Sequence, residues 1–294
     1  MKVLECFAFW LFLAVALAIF LGYVPPYHDT LAMLSLGVAM TLAMSGIRIG
    51  SHMQIQSMAI VFLLNYAFLP AITLAPAILM NDNAYWTGFV IMVSMPPAVA
   101  LIPFSKILKA DTELAMSGEV FLYLASLAMA PLMIYMLAGK SVSIMPVVWS
   151  LFTLILLPMG VSRVMGRVID AESGWVKITI NVMFFILIYL VFSMNRAMII
   201  KSMESVPVIG AICALRTLGI SLAVLALCVW AGVVGKRALT YSLFSSLKNS
   251  GLAMIIAMTA FSPKTALPAA VAVFFEFFTV TFLEALSKIF IAQG

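Results

Sequence analysis

Ten apolar stretches of membrane-spanning length run through this chain, and two of them are interrupted near their middles. The fourth stretch is interrupted at Ser94-Met95-Pro96-Pro97, and the ninth is interrupted in the polar run from Ser245 to Gly251. The two interruptions lie about 150 residues apart, at matching places in the two halves of the chain. Broken helices at corresponding positions of an inverted repeat are typical of the binding site of a secondary transporter.

The composition places the chain in a lipid bilayer. Hydrophobic residues make up 65% of its 294 residues and charged residues only 9%, which no water-soluble fold could bury. A soluble domain has about one quarter of its residues charged. The net charge of +5 lies mainly in short loops, so it does not indicate a nucleic-acid partner. The lipid bilayer is the expected partner, and the oligomeric state is left open.

The expected fold is an all-α integral membrane protein with ten transmembrane helices, the fourth and ninth of which are discontinuous. Five spans in each half force the second half to lie upside down relative to the first, which predicts inverted repeats over residues 1–140 and 141–294 of a single polytopic unit. The predicted spans are Leu4–Tyr23, Thr30–Ser45, Gln54–Met80, Ala84–Leu108, Thr112–Gly139, Ile144–Met165, Val176–Asn195, Val206–Gly235, Ala238–Phe261 and Thr265–Lys288.

The basic residues predict the orientation, because cytoplasmic loops carry an excess of lysine and arginine. Four basic residues fall on the predicted outer side: Lys140, Arg196, Lys201 and Lys264. Ten fall on the predicted cytoplasmic side: Lys2, Arg48, Lys106, Lys109, Arg163, Arg167, Lys177, Lys236, Arg237 and Lys288. The chain is therefore expected in the cytoplasmic (inner) membrane, as a multi-pass protein with both termini in the cytoplasm.

Proline accounts for the first interruption. Pro96 and Pro97 both lack a backbone donor, and Pro97 also pushes the residue before it out of helical geometry. Freed backbone groups at membrane depth survive only where they are buried in protein or line a cavity. A simple proline kink is the alternative for this span alone, but the partner interruption favours a site.

Small polar residues account for the second interruption. Asn249 and Ser250 are good N-cap residues for a following half-helix, and Gly251 permits an unusual backbone angle. The preceding half-helix is expected to end at Ser245-Ser246. Its negative end would then point at Lys248, which is favourable for a cation.

Four ionisable residues lie well inside predicted spans: Glu119, Arg216, Lys248 and Glu276. A lone charge in hydrocarbon costs at least ~2.5–3.5 kcal/mol, so these side chains are expected to pair or to face water. The simplest pairing joins Glu119 to Lys248 and Arg216 to Glu276, with Asn65 as a neutral polar neighbour. One interpretation is that the pairs only hold helices together. The other is that at least one pair titrates or separates during transport.

Two regions resemble the bile acid–sodium symporter superfamily. One extends from Met95 through Leu132, and the other from Lys248-Asn249-Ser250-Gly251-Leu252-Ala253 through Pro268. The second matches the family motif Gln-Asn-Ser-Gly-Leu-Ala. The resemblance implies the ten-helix inverted repeat with crossed broken helices. It also implies a core of spans three to five and eight to ten, and a second domain of spans one, two, six and seven.

The departures from the family pattern concern its sodium ligands. The family's fourth-span Ser-Asn pair falls on Leu101 and Ile102, and its ninth-span glutamate falls on Phe244, none of which can ligate a hard cation. Further family ligand positions in the third, fifth and ninth spans fall on Asn65, Glu119 and Lys248. The resemblance therefore implies that the ammonium of Lys248 replaces bound sodium, with Glu119 as its negative partner.

The predicted function is sodium-independent transport of a small organic anion by alternating access. The coupling is expected to be either to protons through the Lys248/Glu119 pair or to exchange. No metal, cofactor or catalytic residue is expected, so the chain is not expected to be an enzyme. A sodium-coupled organic-anion symporter is one alternative, and a passive channel or membrane sensor is another. The candidate binding residues are Lys248, Glu119, Asn65, Asn249, Ser250, Ser245, Ser246, Arg216 and Glu276, with helix breaks at Pro96, Pro97 and Gly251.

Overall fold

A computed structural model describes residues 7–46, 54–139, 144–171, 173–201, 204–233 and 235–291. About 85% of the chain is helical, and none of the described residues forms a strand. The α-helices are α1 (Phe7–Leu21), α2 (His28–Ser45), α3 (Ile55–Leu63), α4 (Leu69–Ala77), α5 (Asn83–Ser94), α6 (Leu101–Ile107), α7 (Thr112–Ala138), α8 (Ile144–Leu151), α9 (Leu157–Met165), α10 (Gly174–Lys201), α11 (Ser205–Ala214), α12 (Ile220–Trp230), α13 (Lys236–Ser246), α14 (Ser250–Ala260) and α15 (Pro263–Ile291).

Six continuous helical segments of the described chain are long and apolar enough to cross a membrane. A shorter apolar helix covers Phe9–Leu21. These segments make the chain a multi-pass membrane protein, as its composition predicts. The six are Ile55–Met80, Thr112–Ala138, Met145–Met165, Gly174–Ala197, Ser205–Trp230 and Pro263–Ser287.

Three of these six segments contain a π-helical turn. The turns cover Leu64–Phe68 between α3 and α4, Phe152–Leu156 between α8 and α9, and Leu215–Gly219 between α11 and α12. A π turn interrupts the regular hydrogen-bond ladder and is frequent at functional sites. The first and third turns carry Asn65 and Arg216, whose side chains are fully buried.

Both predicted interruptions are present. Helix α5 ends at Ser94 and α6 begins at Leu101, while α13 ends at Ser246 and α14 begins at Ser250. The second interruption is narrower than predicted, because Gly251 lies inside α14. The unusual backbone angle expected at Gly251 is wrong, since its backbone is helical. Its lack of a side chain serves packing instead: a Cβ there would lie 3.2 Å from Leu187 and from Leu36.

The two interruptions lie in the interior of the helix bundle. Helix α13 packs against α7 and α12, and α14 packs against α5 and α15. Gly118 on α7 permits the close approach of α13, because a Cβ there would lie 2.6 Å from the Phe244 ring. Helices α1 and α2 pack against α10, and α9 packs against α2.

Asp82 connects the start of α5 to the start of α15. Its carboxylate caps α5 by accepting from the backbone amides of Ala84 and Tyr85 at 3.0 and 3.2 Å, and it pairs with Lys264 Nζ at 2.7 Å. Partial burial alone would raise the pKa of Asp82, but the hydrogen bonds from Lys264, Tyr85 and Ala84, together with the charge of Lys264, lower it below its ordinary value. The ionised form is therefore the one that the folded state stabilises.

We expect this contact to make the stability of the protein depend on acidity. Since the pKa of Asp82 is lowered in the folded state, its stabilising contribution is present above the ordinary aspartate pKa of about 4 and is lost as the pH falls through the lowered value. The melting temperature in detergent should fall over that range for the wild-type protein and less steeply for Asp82→Asn. Asp29→Asn, at an exposed position beside His28, is the control and should keep the wild-type slope. Equal slopes for wild type and Asp82→Asn would contradict the assignment.

Candidate functional site at the helix interruptions

The two interruptions contact each other directly. The backbone amide of Asn249 donates to the carbonyl of Pro96 at 2.8 Å, and the hydroxyl of Tyr123 donates to the carbonyl of Pro97 at 3.2 Å. The Asn249 side chain accepts from the amide of Leu252 at 2.9 Å and so caps α14, as predicted. The backbone groups freed by the interruptions thus find partners inside the protein, as membrane depth requires.

Lys248 lies fully buried between the interruptions. Its ammonium donates to Asn65 Oδ1 at 2.7 Å and to the carbonyl of Met95 at 2.6 Å, and it lies 4.4 Å from the centre of the Tyr66 ring. Asn65 Nδ2 donates to the carbonyl of Phe244 at 3.0 Å, which orients its oxygen toward the ammonium.

These contacts reduce the cost of burying the Lys248 side chain at this depth. Each hydrogen bond from a charged donor contributes about 1.5–3 kcal/mol, and a desolvated cation over an aromatic ring adds about 2 kcal/mol. Placing a lysine at the centre of a membrane helix costs about 2.5–3.5 kcal/mol on the insertion scale. The two oxygen acceptors and the Tyr66 ring therefore offset part of this cost without a carboxylate partner.

The predicted pairing of Glu119 with Lys248 is wrong. Glu119 is fully buried on α7, and neither of its carboxyl oxygens has a hydrogen-bond partner in the described part of the chain. The Tyr123 hydroxyl and the backbone of Ile102 lie near it without bonds of ordinary geometry. The π turn explains the difference, because it presents Asn65 and Tyr66 to the ammonium.

The predicted pairing of Arg216 with Glu276 is confirmed. The Arg216 guanidinium donates through Nη2 to Glu276 Oε1, and Arg216 has no exposed surface. The same carboxylate oxygen accepts from the Ser250 hydroxyl at 2.8 Å and from the backbone amide of Lys248 at 3.4 Å. Nε and Nη1 of Arg216 have no acceptor in the described structure.

The remaining predicted serines do not face a ligand in this conformation. The hydroxyls of Ser245 and Ser246 both donate to the carbonyl of Ser242 at 2.8 Å, inside α13. Two tyrosines of the site were not predicted from the sequence. Tyr66 contacts the ammonium, and Tyr123 contacts the first interruption. Tyr66 adjoins Asn65 in the sequence, and this adjacency is the one signal that could have indicated it.

A polar cavity lies at one end of the helices that carry the site. Its volume is about 290 Å³. It is located where α3, α7 and α13 begin, and Arg237 bridges it by contacting Asp111 at 3.6 Å and Gln54 at 3.2 Å. The polar residues that line it are Gln54, Ser57, Asp111, Glu113, Ser117 and Arg237.

No protein-family model matches the chain, and no curated protein matches its sequence significantly. The function therefore has to be inferred from the site itself.

Loss of the Glu119 carboxyl group and loss of the cation that pairs with Glu276 should change the stability of the protein in opposite directions. Glu119→Met removes a buried carboxyl group without hydrogen bonds and should stabilise the protein by about 1–3 kcal/mol, because such groups carry an uncompensated desolvation penalty. Arg216→Met leaves Glu276 without its cation and should destabilise the protein by about 3–5 kcal/mol. Thermal unfolding in detergent measures both changes. Glu284→Met, at an exposed position on α15, is the control, and a loss of stability in Glu119→Met would show that Glu119 has a partner in the folded state.

Proposed function

We propose that the protein is a secondary transporter that moves a small organic anion across the cytoplasmic membrane by alternating access, without sodium. The observation that carries this proposal is the ammonium of Lys248, which is enclosed where two interrupted helices meet. A charge at membrane depth is a functional-site hypothesis by default. Interrupted helices that cross at such a charge are typical of carriers.

The order of the helical elements supports ten spans in two inverted repeats. Each half contains a segment with a buried polar residue in a π turn, then an interrupted helix, then a long helix. In the first half these are α3–α4 with Asn65, the α5/α6 pair and α7. In the second half they are α11–α12 with Arg216, the α13/α14 pair and α15. The proposed repeats cover residues 1–140 and 141–294, with α3–α7 and α11–α15 as the core.

The surroundings of Lys248 support the replacement of a metal ion by a fixed cation. A hard cation such as sodium is bound by oxygen atoms, and the ammonium is bound by a side-chain amide oxygen and a backbone carbonyl oxygen. Leu101, Ile102 and Phe244 stand where the resembling family has sodium ligands, and none of them offers a side-chain oxygen. In this proposal the side-chain partner of the Lys248 ammonium is Asn65 rather than Glu119.

The charges around the interruptions favour an anionic substrate. Lys248 and Arg216 are both fully buried, and Glu276 connects them by accepting from the Arg216 guanidinium and from the backbone amide of Lys248. The N-terminus of α14 at Ser250 adds a positive helix end on the same side. Glu276 is the acid in contact with this group. An organic monoanion would complete the charge balance.

Transport by the purified protein tests the proposal. A thermal-shift screen of aliphatic and aromatic carboxylates and sulfonates should identify anions that stabilise the protein. In proteoliposomes these anions should show saturable counterflow that is unchanged when choline replaces sodium, because the site holds its own cation. Strict dependence on sodium would support the sodium-coupled alternative, and an ohmic current without counterflow would support a channel.

Variants of two lysines in the same region supply the control for this assay. Lys248→Met should abolish counterflow, since the cation between the interruptions is lost. Lys236→Met replaces an exposed lysine at the start of α13 and should retain wild-type counterflow. Wild-type counterflow in a folded Lys248→Met protein would remove Lys248 from the mechanism.

A further inference from the structure

The carboxylate of Glu276 occupies a site that is built for an anion. One of its oxygens, Oε1, accepts from three donors on different elements: Arg216 Nη2, the Ser250 hydroxyl at 2.8 Å and the backbone amide of Lys248 at 3.4 Å. Ser250 and Lys248 flank the N-cap of α14, where the helix presents its positive end. Guanidinium, hydroxyl and helix N-terminus together are the usual protein ligands of a carboxylate.

This site contains more hydrogen-bond donors than Glu276 accepts from. Arg216 has no exposed surface, yet its Nε and Nη1 have no acceptor among the described residues. Buried guanidinium donors without acceptors are costly. A carboxylate or sulfonate that enters beside Arg216 could accept from them, whereas the single side chain of Glu276 does not reach them in this conformation.

Glu276 is the more exposed member of the pair. Its side chain retains 12% of its exposed surface, while that of Arg216 retains none. Arg216 lies in the π turn between α11 and α12 and Ser250 lies in α14, whereas Glu276 lies on the separate helix α15. The carboxylate and its donors therefore lie on separate elements, so a change of the Glu276 rotamer would move the carboxylate without moving the donors.

We propose that Glu276 is a tethered occupant of the substrate's anion site, and that the carboxylate or sulfonate group of the transported anion displaces it from Arg216, Ser250 and the α14 N-terminus. This inference rests on the proposed function and specifies its substrate group. In the absence of substrate, Glu276 neutralises Arg216. When substrate is bound, the substrate's anionic group takes over that task, and Glu276 moves aside.

Chemical rescue with acetate tests the site without a transport assay. Glu276→Ala removes the tethered carboxylate, so its melting temperature should fall. Acetate should then raise it by about 3 °C or more at saturation, and chloride at the same concentration should not. The double variant Arg216→Met/Glu276→Ala should show no acetate effect, because the guanidinium is gone. Equal effects of acetate and chloride, or an acetate effect in the double variant, would overturn the anion site.

Affinity separates displacement from a purely structural salt bridge. Glu276→Gln removes the competing charge, so it should bind the anions selected by the thermal-shift screen at least about tenfold more tightly than wild type. A structural pair predicts unchanged or weaker binding, which would overturn the displacement. Glu284→Gln, exposed on the same helix, should bind as wild type does. If acetate rescues Glu276→Ala but no anion undergoes counterflow in wild type, the proposed function fails while the anion site stands.

Discussion

A buried ammonium ion must find acceptors wherever the chain can supply them, and this requirement organises the centre of the molecule. Lys248 takes one oxygen from a π turn 183 residues away and another from the first interruption, 153 residues away. Three segments that are remote in the sequence are thereby held together at one point. Without the ammonium, the Asn65 oxygen and the Met95 carbonyl would be buried without a donor. The interruption of α13/α14 and the acceptors on the other segments are thus parts of a single arrangement.

The two buried acids show how far environment decides the role of one residue type. Glu276 accepts from the Arg216 guanidinium, the Ser250 hydroxyl and the backbone amide of Lys248. Glu119 lies at the level of the first interruption with no hydrogen bond to either oxygen in the described structure. Glu276 therefore pairs with Arg216, whereas Glu119 forms no hydrogen bond to either buried cation.

Much of the fold could be predicted because it depends on local composition. Apolar length predicted the segment Ile55–Met80 to within a residue, proline predicted the first interruption, and Asn249 was recognised as an N-cap from its residue type. The partner of Lys248 could not be predicted in this way. It depends on which face of a helix meets the interruption, and the π turn at Leu64–Phe68 shifts that face. No pattern of apolar residues reveals such a turn. The balance of buried charges therefore predicted Glu119, rather than Asn65, as the partner of Lys248.

Under the proposed function, a cation that is part of the chain changes the charge that the empty carrier must move across the membrane. A mobile sodium ion leaves with the substrate, but Lys248 and Arg216 remain at membrane depth in every state of the cycle. The empty carrier must therefore return across the membrane with both charges, and an uncompensated charge there costs several kcal/mol. A tethered carboxylate that replaces the substrate at Arg216 keeps that guanidinium paired in the empty state, although the core then carries one positive charge more than it does with a monoanion bound. On this reasoning Glu276 permits the empty carrier to return, and a site without it would favour obligatory exchange.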